Sequence, residues 1–184
     1  MESKDTKFRI IKETFPSEVI SIIGSILAGI ILSILILPFK SFPLLILIVP
    51  ALLSLRGNIS GPFIARTSRD LILGDFGLKS WGENVLATYV LAIVTSILIG
   101  ILSVVMNFFI FRINIINPEK ILIIPVISML FSLSISIPIS TLLNYIAFRF
   151  GLDPNNVVGP TMTAIDDFFS VFSFYLTLII LGVP

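Results

Sequence analysis

Two aspartates, Asp166 and Asp167, stand side by side inside an apolar stretch that runs to the end of the sequence. A carboxylate near the middle of a bilayer costs roughly 2.5–3.5 kcal/mol on insertion scales, so such residues face a bundle interior and mark an ion or substrate route. On a helix, Thr163, Ser170 and Thr177 fall on faces close to Asp167 and give it a polar arc, whereas Asp166 points about 100° away. The two carboxylates cannot both be centred on one axis, yet both can border one wet cavity. The sequence has no His and no Cys, which removes thiol chemistry, disulfides, zinc sites and histidine acid–base catalysis together. The remaining ligands are carboxylates, hydroxyls, amides and backbone carbonyls, hard oxygen donors that suit Mg²⁺, Ca²⁺ or Mn²⁺ over zinc or copper. Mg²⁺ sheds water reluctantly and is held through one or two carboxylates with waters retained, so one Asp per subunit fits if a two-fold axis brings two copies together. The competing reading of either aspartate is a structural salt bridge with Arg56 or Arg149.

The elements that must carry these residues are membrane-spanning helices. Of the 184 residues 56% are hydrophobic and only 12% charged, with a mean hydropathy of +1.10. A soluble chain this apolar would lack the charges to cover its surface, whereas a lipid-facing one needs no such cover. The net charge of +1 gives no footprint for nucleic acid. Residues 1–15 are polar, of mixed charge and without the plan of a signal peptide, and are expected to be a short cytoplasmic segment; residues 16–184 are expected to form one five-helix transmembrane domain without linker or clear repeat.

The first span is expected from Pro16, placed in the first turn, to Leu37, with a ladder of Ser21, Gly24, Ser25, Ala28 and Gly29 that lets another helix approach closely. Pro38 to Pro43 makes a short turn. The second span, Pro43 to Leu73, contains Arg56, Gly57, Asn58, Gly61 and Pro62 in one hydrophobic stretch. That composition predicts two half-helices with a functional break near Gly57–Pro62, tolerated where protein or a water-filled cavity covers it. The third, Glu83 to Phe111, has a small and polar stripe of Thr88, Ala92, Ser96, Gly100, Ser103 and Asn107. In the fourth, Ile121 to Phe148, the run SLSISIPIS alternates like a strand, but its apolar setting favours a helix kinked at Pro138. Ser128, Ser132, Ser136, Ser140 and Asn144 then share one face, which reads as helix packing rather than pore lining. The loop RFGLDPNNVVG precedes a fifth span from Pro160 to the end. With the N-terminus inside, eight basic residues (Lys4, Lys7, Arg9, Lys12, Arg66, Arg69, Lys79, Arg149) face the cytoplasm and three (Lys40, Arg112, Lys120) the outside, in keeping with the positive-inside rule. The C-terminus is then outside.

Two segments resemble a known family. Pro50-Ala-Leu-Leu, Arg56-Gly57-Asn58, Ala65-Arg66 and Gly74 resemble the second-helix motif of the MgtE superfamily, closest to the animal solute-carrier magnesium transporters, whose chains hold two such domains. Gly151-Leu152-Asp153-Pro154 followed by Pro160-x-x-Thr163-x-x-x-Asp167 looks like its fifth-helix motif, in which that spacing places the ion-binding aspartate. Both occur in the right order, and the hydropathy of the whole chain matches one five-helix MgtE membrane domain. The resemblance implies a Mg²⁺ channel or transporter of the plasma membrane in which two five-helix domains pack about a central pore and paired aspartates, here Asp167, hold a hydrated Mg²⁺. One domain per chain implies a homodimer, or a heterodimer with a related chain. There are departures. No stretch matches the regulatory N-domain and CBS pair of bacterial relatives, so closure by Mg²⁺ sensing is not carried over. Ser170 stands where many relatives have Gly, and Ser60 where the animal ones often carry an acidic residue. Asp166 is an additional carboxylate without an obvious partner, and coupling to Na⁺ or H⁺ is the role it suggests.

Three functions follow for comparison. Divalent cation transport, of Mg²⁺ before Mn²⁺, Co²⁺ or Ca²⁺, leads, with Asp167, Asp166 and Thr163 as metal-site residues and Asn58, Gly57, Gly61, Pro160 and Ser170 shaping the path. An intramembrane aspartyl protease needs two carboxylates that face each other, and adjacent residues of one helix do not. A non-transporting or partner-dependent subunit of a heteromeric membrane transport complex is the third.

Overall fold

The computed structural model describes residues 7–37, 39, 42–112 and 115–184. It is all helix among the described residues: α1 Lys7–Ile36, α2 Phe42–Leu73, α3 Leu78–Met106, α4 Pro118–Arg149 and α5 Pro154–Ile180, with a short π-helical turn, Asn107–Phe111, extending α3. All five helices are long and apolar enough to cross a membrane. Helix α5 is the hub. It packs against α1, α4 and α2, while α3 lies against α4 and α2.

The polar and small stripes make this packing. Gly24 of α1 sits so close to α5 that an added Cβ would fall 2.2 Å from Ala164 Cβ, and at Gly100 of α3 it would fall 2.4 Å from the Leu122 carbonyl oxygen of α4. Small residues at such crossings let backbones approach where no hydrophobic effect drives helices together. The whole α3 stripe from Thr88 to Asn107 is buried, as are Ser128, Ser132, Ser136, Ser140 and Asn144 of α4. The alternating run around Ser134 is helical, because lipid leaves no partner for a lone strand's backbone. Outward faces are aliphatic: Ile20, Ile23 and Leu27 on α1, Leu86, Val90 and Val94 on α3.

Three features differ from expectation. Helix α2 is continuous through Gly57–Pro62, with Pro50 and Pro62 inside it. Each proline removes one hydrogen bond, but unwinding would strand many more polar groups in a medium that offers none, so the helix persists. Pro16 lies well inside α1 rather than in its first turn: Lys7–Phe15 is already helical, with Arg9 Nε on Glu13 Oε1 at 2.8 Å one turn apart. Pro160 lies inside α5, which begins at Pro154 behind an Asp153 cap whose side chain accepts from Asn155 N at 2.9 Å. That aspartate–proline pair is a helix start signal in its own right. Pro138 lies within α4 without ending it. Lys4, and Pro38 and Lys40 of the first expected turn, lie outside the described residues.

Candidate cation site

Asp167 is the midpoint of α5, thirteen residues from Pro154 and thirteen from Ile180, about 20 Å from either end at 1.5 Å per residue. It is partly exposed and borders a groove of about 240 Å³ between α2 and α5. Leu53, Gly57, Ser60, Gly61 and Ile64 form the α2 wall, and Gly159, Met162, Thr163, Asp166 and Asp167 the α5 wall. Gly57 and Gly61 are one turn apart with open space where a side chain would be; they widen the groove without breaking the helix. Thr163 is one turn before Asp167, its hydroxyl donating to the Gly159 carbonyl at 3.2 Å. One protein donor reaches Asp167 among the described residues: Ser25 Oγ of α1 donates to Oδ2 at 2.6 Å.

Asp166 is in a different position. It is 3% exposed, and both its oxygens are engaged. Arg56 Nη2 donates to Oδ1 at 2.8 Å; Ser136 donates to Oδ1 and Ser60 to Oδ2. Arg56 is itself 2% exposed. The structure therefore joins α2, α4 and α5 through one buried ion pair with two hydroxyls in support, and of the salt bridges open to the aspartates from the sequence it forms the one between Asp166 and Arg56. The observation behind a coupling role, a second carboxylate without a partner, is overturned by this pair. Among the described residues, Arg56 Nε, Ser140 Oγ and Asn144 Oδ1 are buried without a hydrogen-bond partner, and Arg56 and Ser140 line, with Ser136, a pocket of about 10 Å³, room for about one water molecule.

The candidate residues thus separate. Asp167, Asp166, Thr163, Gly57 and Gly61 meet in the groove. Asn58 is exposed on the outward face of α2 and does not line it. Pro160 lies one turn before Thr163 and off the lining, and Ser170 is buried against α4, its hydroxyl 3.1 Å from that of Ser132. Ser25 and Ser136 were legible only as members of small or polar stripes, and Ser60 only as a departure from the acidic residue often found in the animal relatives. An unpaired arginine in a span was the signal for the ion pair, since such charges pair within a bundle. Among the described residues no three acidic side chains come together, so they offer no carboxylate cage for a bare ion.

The fold is a bundle of five helices each long and apolar enough to cross a membrane, with one half-open carboxylate at the middle of α5. The family of divalent cation transporters named MgtE matches residues 49–177, more than half of the chain, and the protein belongs to that family. The matched stretch runs from α2 to α5 and includes the groove, Arg56 and both aspartates. No curated protein matches the chain.

Proposed function

We propose that the protein carries Mg²⁺ across the plasma membrane as a partly hydrated ion through a pore built from two copies, with Asp167 of each copy as its central ligand. The observation that carries this reading is the contrast between the two carboxylates. Asp166 is neutralised by Arg56 and enclosed, whereas Asp167 opens to a groove of small residues at the middle of α5. One net negative charge per protomer gives two in a dimer, matched to a divalent cation. A pair of carboxylates with waters completing the shell suits Mg²⁺, which dehydrates reluctantly; Mn²⁺, Co²⁺ and Ca²⁺ share the same hard-oxygen chemistry.

The dimer is supported by the outward face of α2. Ser54, Gly57, Asn58, Gly61, Pro62 and Ala65 are exposed at helical spacing, unlike the aliphatic outer faces of α1 and α3, and small or polar residues at mid-membrane belong at helix contacts. A cytoplasmic N-terminus is supported by the basic residues: Lys7, Arg9, Lys12, Arg66, Arg69, Lys79 and Arg149 lie at one end of the bundle and Arg112 and Lys120 at the other.

The test is Mg²⁺ flux into proteoliposomes holding the purified chain, wild type against Asp167→Ala. Flux in the first and none in the second supports a self-sufficient pathway through Asp167. Equal flux in both refutes the assignment of Asp167. Flux in neither, restored by adding a co-purifying related chain, favours the partner-dependent subunit.

A further inference from the structure

Among the described residues, helix α1 packs chiefly on α5, and only Ser17, Ser21, Ala28 and Ile36 of its thirty residues are buried. Whatever it contributes beyond anchoring must pass through α5. The seam is tight at one level, where Gly24 and Ala164 nearly touch, and the next residue, Ser25, donates to Asp167 Oδ2 at 2.6 Å. The two helices are also tied at the end that opens α5: Glu13 Oε2 accepts from Asp153 N at 3.4 Å and Asn156 Nδ2 at 3.1 Å, and Arg9 Nη2 donates to the Gly151 carbonyl at 2.9 Å. The seam is thus fixed above and beside Ser25, so the hydroxyl meets the carboxylate in one register.

We propose that Ser25 is a positioning residue for the cation site. Its hydroxyl holds Oδ2 of Asp167, fixes the carboxylate's rotation and leaves Oδ1 as the oxygen offered to the cation's water shell. Helix α1 supplies no ligand of its own and sets the geometry of the ligand on α5. This rests on the reading of Asp167 as the ligand. A partner that orients a metal-binding side chain costs about 10–100-fold in metal affinity or activity when removed, and the loss falls on affinity because the ligand itself remains.

The experiment measures Mg²⁺ uptake by proteoliposomes over a range of Mg²⁺ concentrations for the full chain and for Ser25→Ala, Ser25→Thr, Ser21→Ala and Asp167→Asn. Ser21 lies on the same seam one turn earlier and has no contact with Asp167 in the hydrogen-bond network, so it reports packing alone. The expected result is a half-saturating Mg²⁺ concentration raised about tenfold or more in Ser25→Ala, with a smaller change in maximal rate, recovery in Ser25→Thr, and no change in Ser21→Ala. Adding Ser25→Ala to Asp167→Asn should then change nothing further. Half-saturation in Ser25→Ala equal to that of wild type, while Asp167→Asn is inactive, overturns the role of Ser25 and leaves the ligand assignment standing. An equal loss in Ser21→Ala, or no recovery with threonine, assigns the effect to packing and also overturns it. Uptake by Asp167→Asn equal to wild type removes the ligand and its positioning residue together.

Discussion

Replacing Arg56 by methionine keeps most of the side chain's volume and removes its charge, which leaves Asp166 enclosed by α2, α4 and α5 with two serine hydroxyls and no cation. The pair is 2.8 Å apart with side chains 2% and 4% exposed. Breaking a buried ion pair from one side costs about 3–5 kcal/mol, whereas exchanging both partners for neutral groups of similar volume is about neutral. Arg56→Met and Asp166→Asn are therefore each expected to lower stability by about 3–5 kcal/mol, or about two to nearly four decades in the folding equilibrium. The double variant should lose far less. An asparagine at this position keeps the shape of the aspartate, an oxygen to accept from Ser136 and an amide to meet Ser60. The assay is denaturant unfolding of the purified chain in mild detergent for all four members of the cycle. A coupling energy of about 3 kcal/mol or more is expected; losses that add within about 0.5 kcal/mol would mean that the two charges do not act as a unit. The double variant also separates fold from transport. If Asp166 serves only to neutralise Arg56, Arg56→Met with Asp166→Asn carries Mg²⁺ at a rate near wild type in proteoliposomes, and abolished flux in that well-folded variant would restore Asp166 to the ion path.

Other positions give sharper packing tests. Gly24→Ala should cost about 1–3 kcal/mol through collision with Ala164, and Ala164→Gly added to it should recover only part of the loss, since the Ala164 Cα remains 2.9 Å from the new methyl; thermal unfolding in detergent reads both. Gly100→Ala meets the Leu122 carbonyl, a backbone group that cannot rotate away, so its loss of about 1–3 kcal/mol or more should have no single-site side-chain rescue on α4. Ser60 lies one turn from Arg56 on the face that meets Asp166, so Ser60→Asp with Asp166→Ser moves the counter-ion from α5 to α2. That variant should be more stable than Asp166→Ser alone, and equal stability would show that Arg56 needs its partner on another helix. Lys120 Nζ donates to two carbonyls just past the C-terminal end of α5, Leu181 at 2.6 Å and Gly182 at 3.2 Å; Lys120→Met should cost up to about 1 kcal/mol and leave the half-saturating Mg²⁺ concentration unchanged.

Much of this architecture is readable because membrane helices obey few rules. Runs of apolar residues read as spans because the solvent satisfies no backbone group, and small residues at helical spacing mark seams at Gly24 and Gly100. The same rule explains why the expected break is absent. Prolines and glycines that would end a helix in water are absorbed in α2, because the alternative strands more hydrogen bonds than the prolines remove. Helix ends are harder to read. Pro16 and Pro160 suit a first turn by residue type, yet the Arg9–Glu13 pair and the Asp153–Pro154 cap show that both helices have already begun. Arg56 is a candidate partner for either aspartate from the sequence, but the choice between them is not legible. It depends on the relative rotation of α2 and α5, which no single helix's periodicity contains.

That rotation also determines the charge at the groove. Adjacent residues on α5 point about 100° apart, so only one of the two aspartates can lie between α2 and α4, where Arg56, Ser60 and Ser136 converge. The other is left toward α1 and the groove, where a single hydroxyl meets it. Both line the groove, but Asp166 does so already paired with Arg56; were it unpaired, the proposed two-fold pair would bring four negative carboxylates to one ion. Had both been enclosed, Arg56 would compensate only one. On the proposed reading, a half-open carboxylate beside a neutralised one holds a divalent ion through its water shell and still releases it, and the Ser25→Ala affinity shift and the Arg56→Met, Asp166→Asn double variant test its two halves independently.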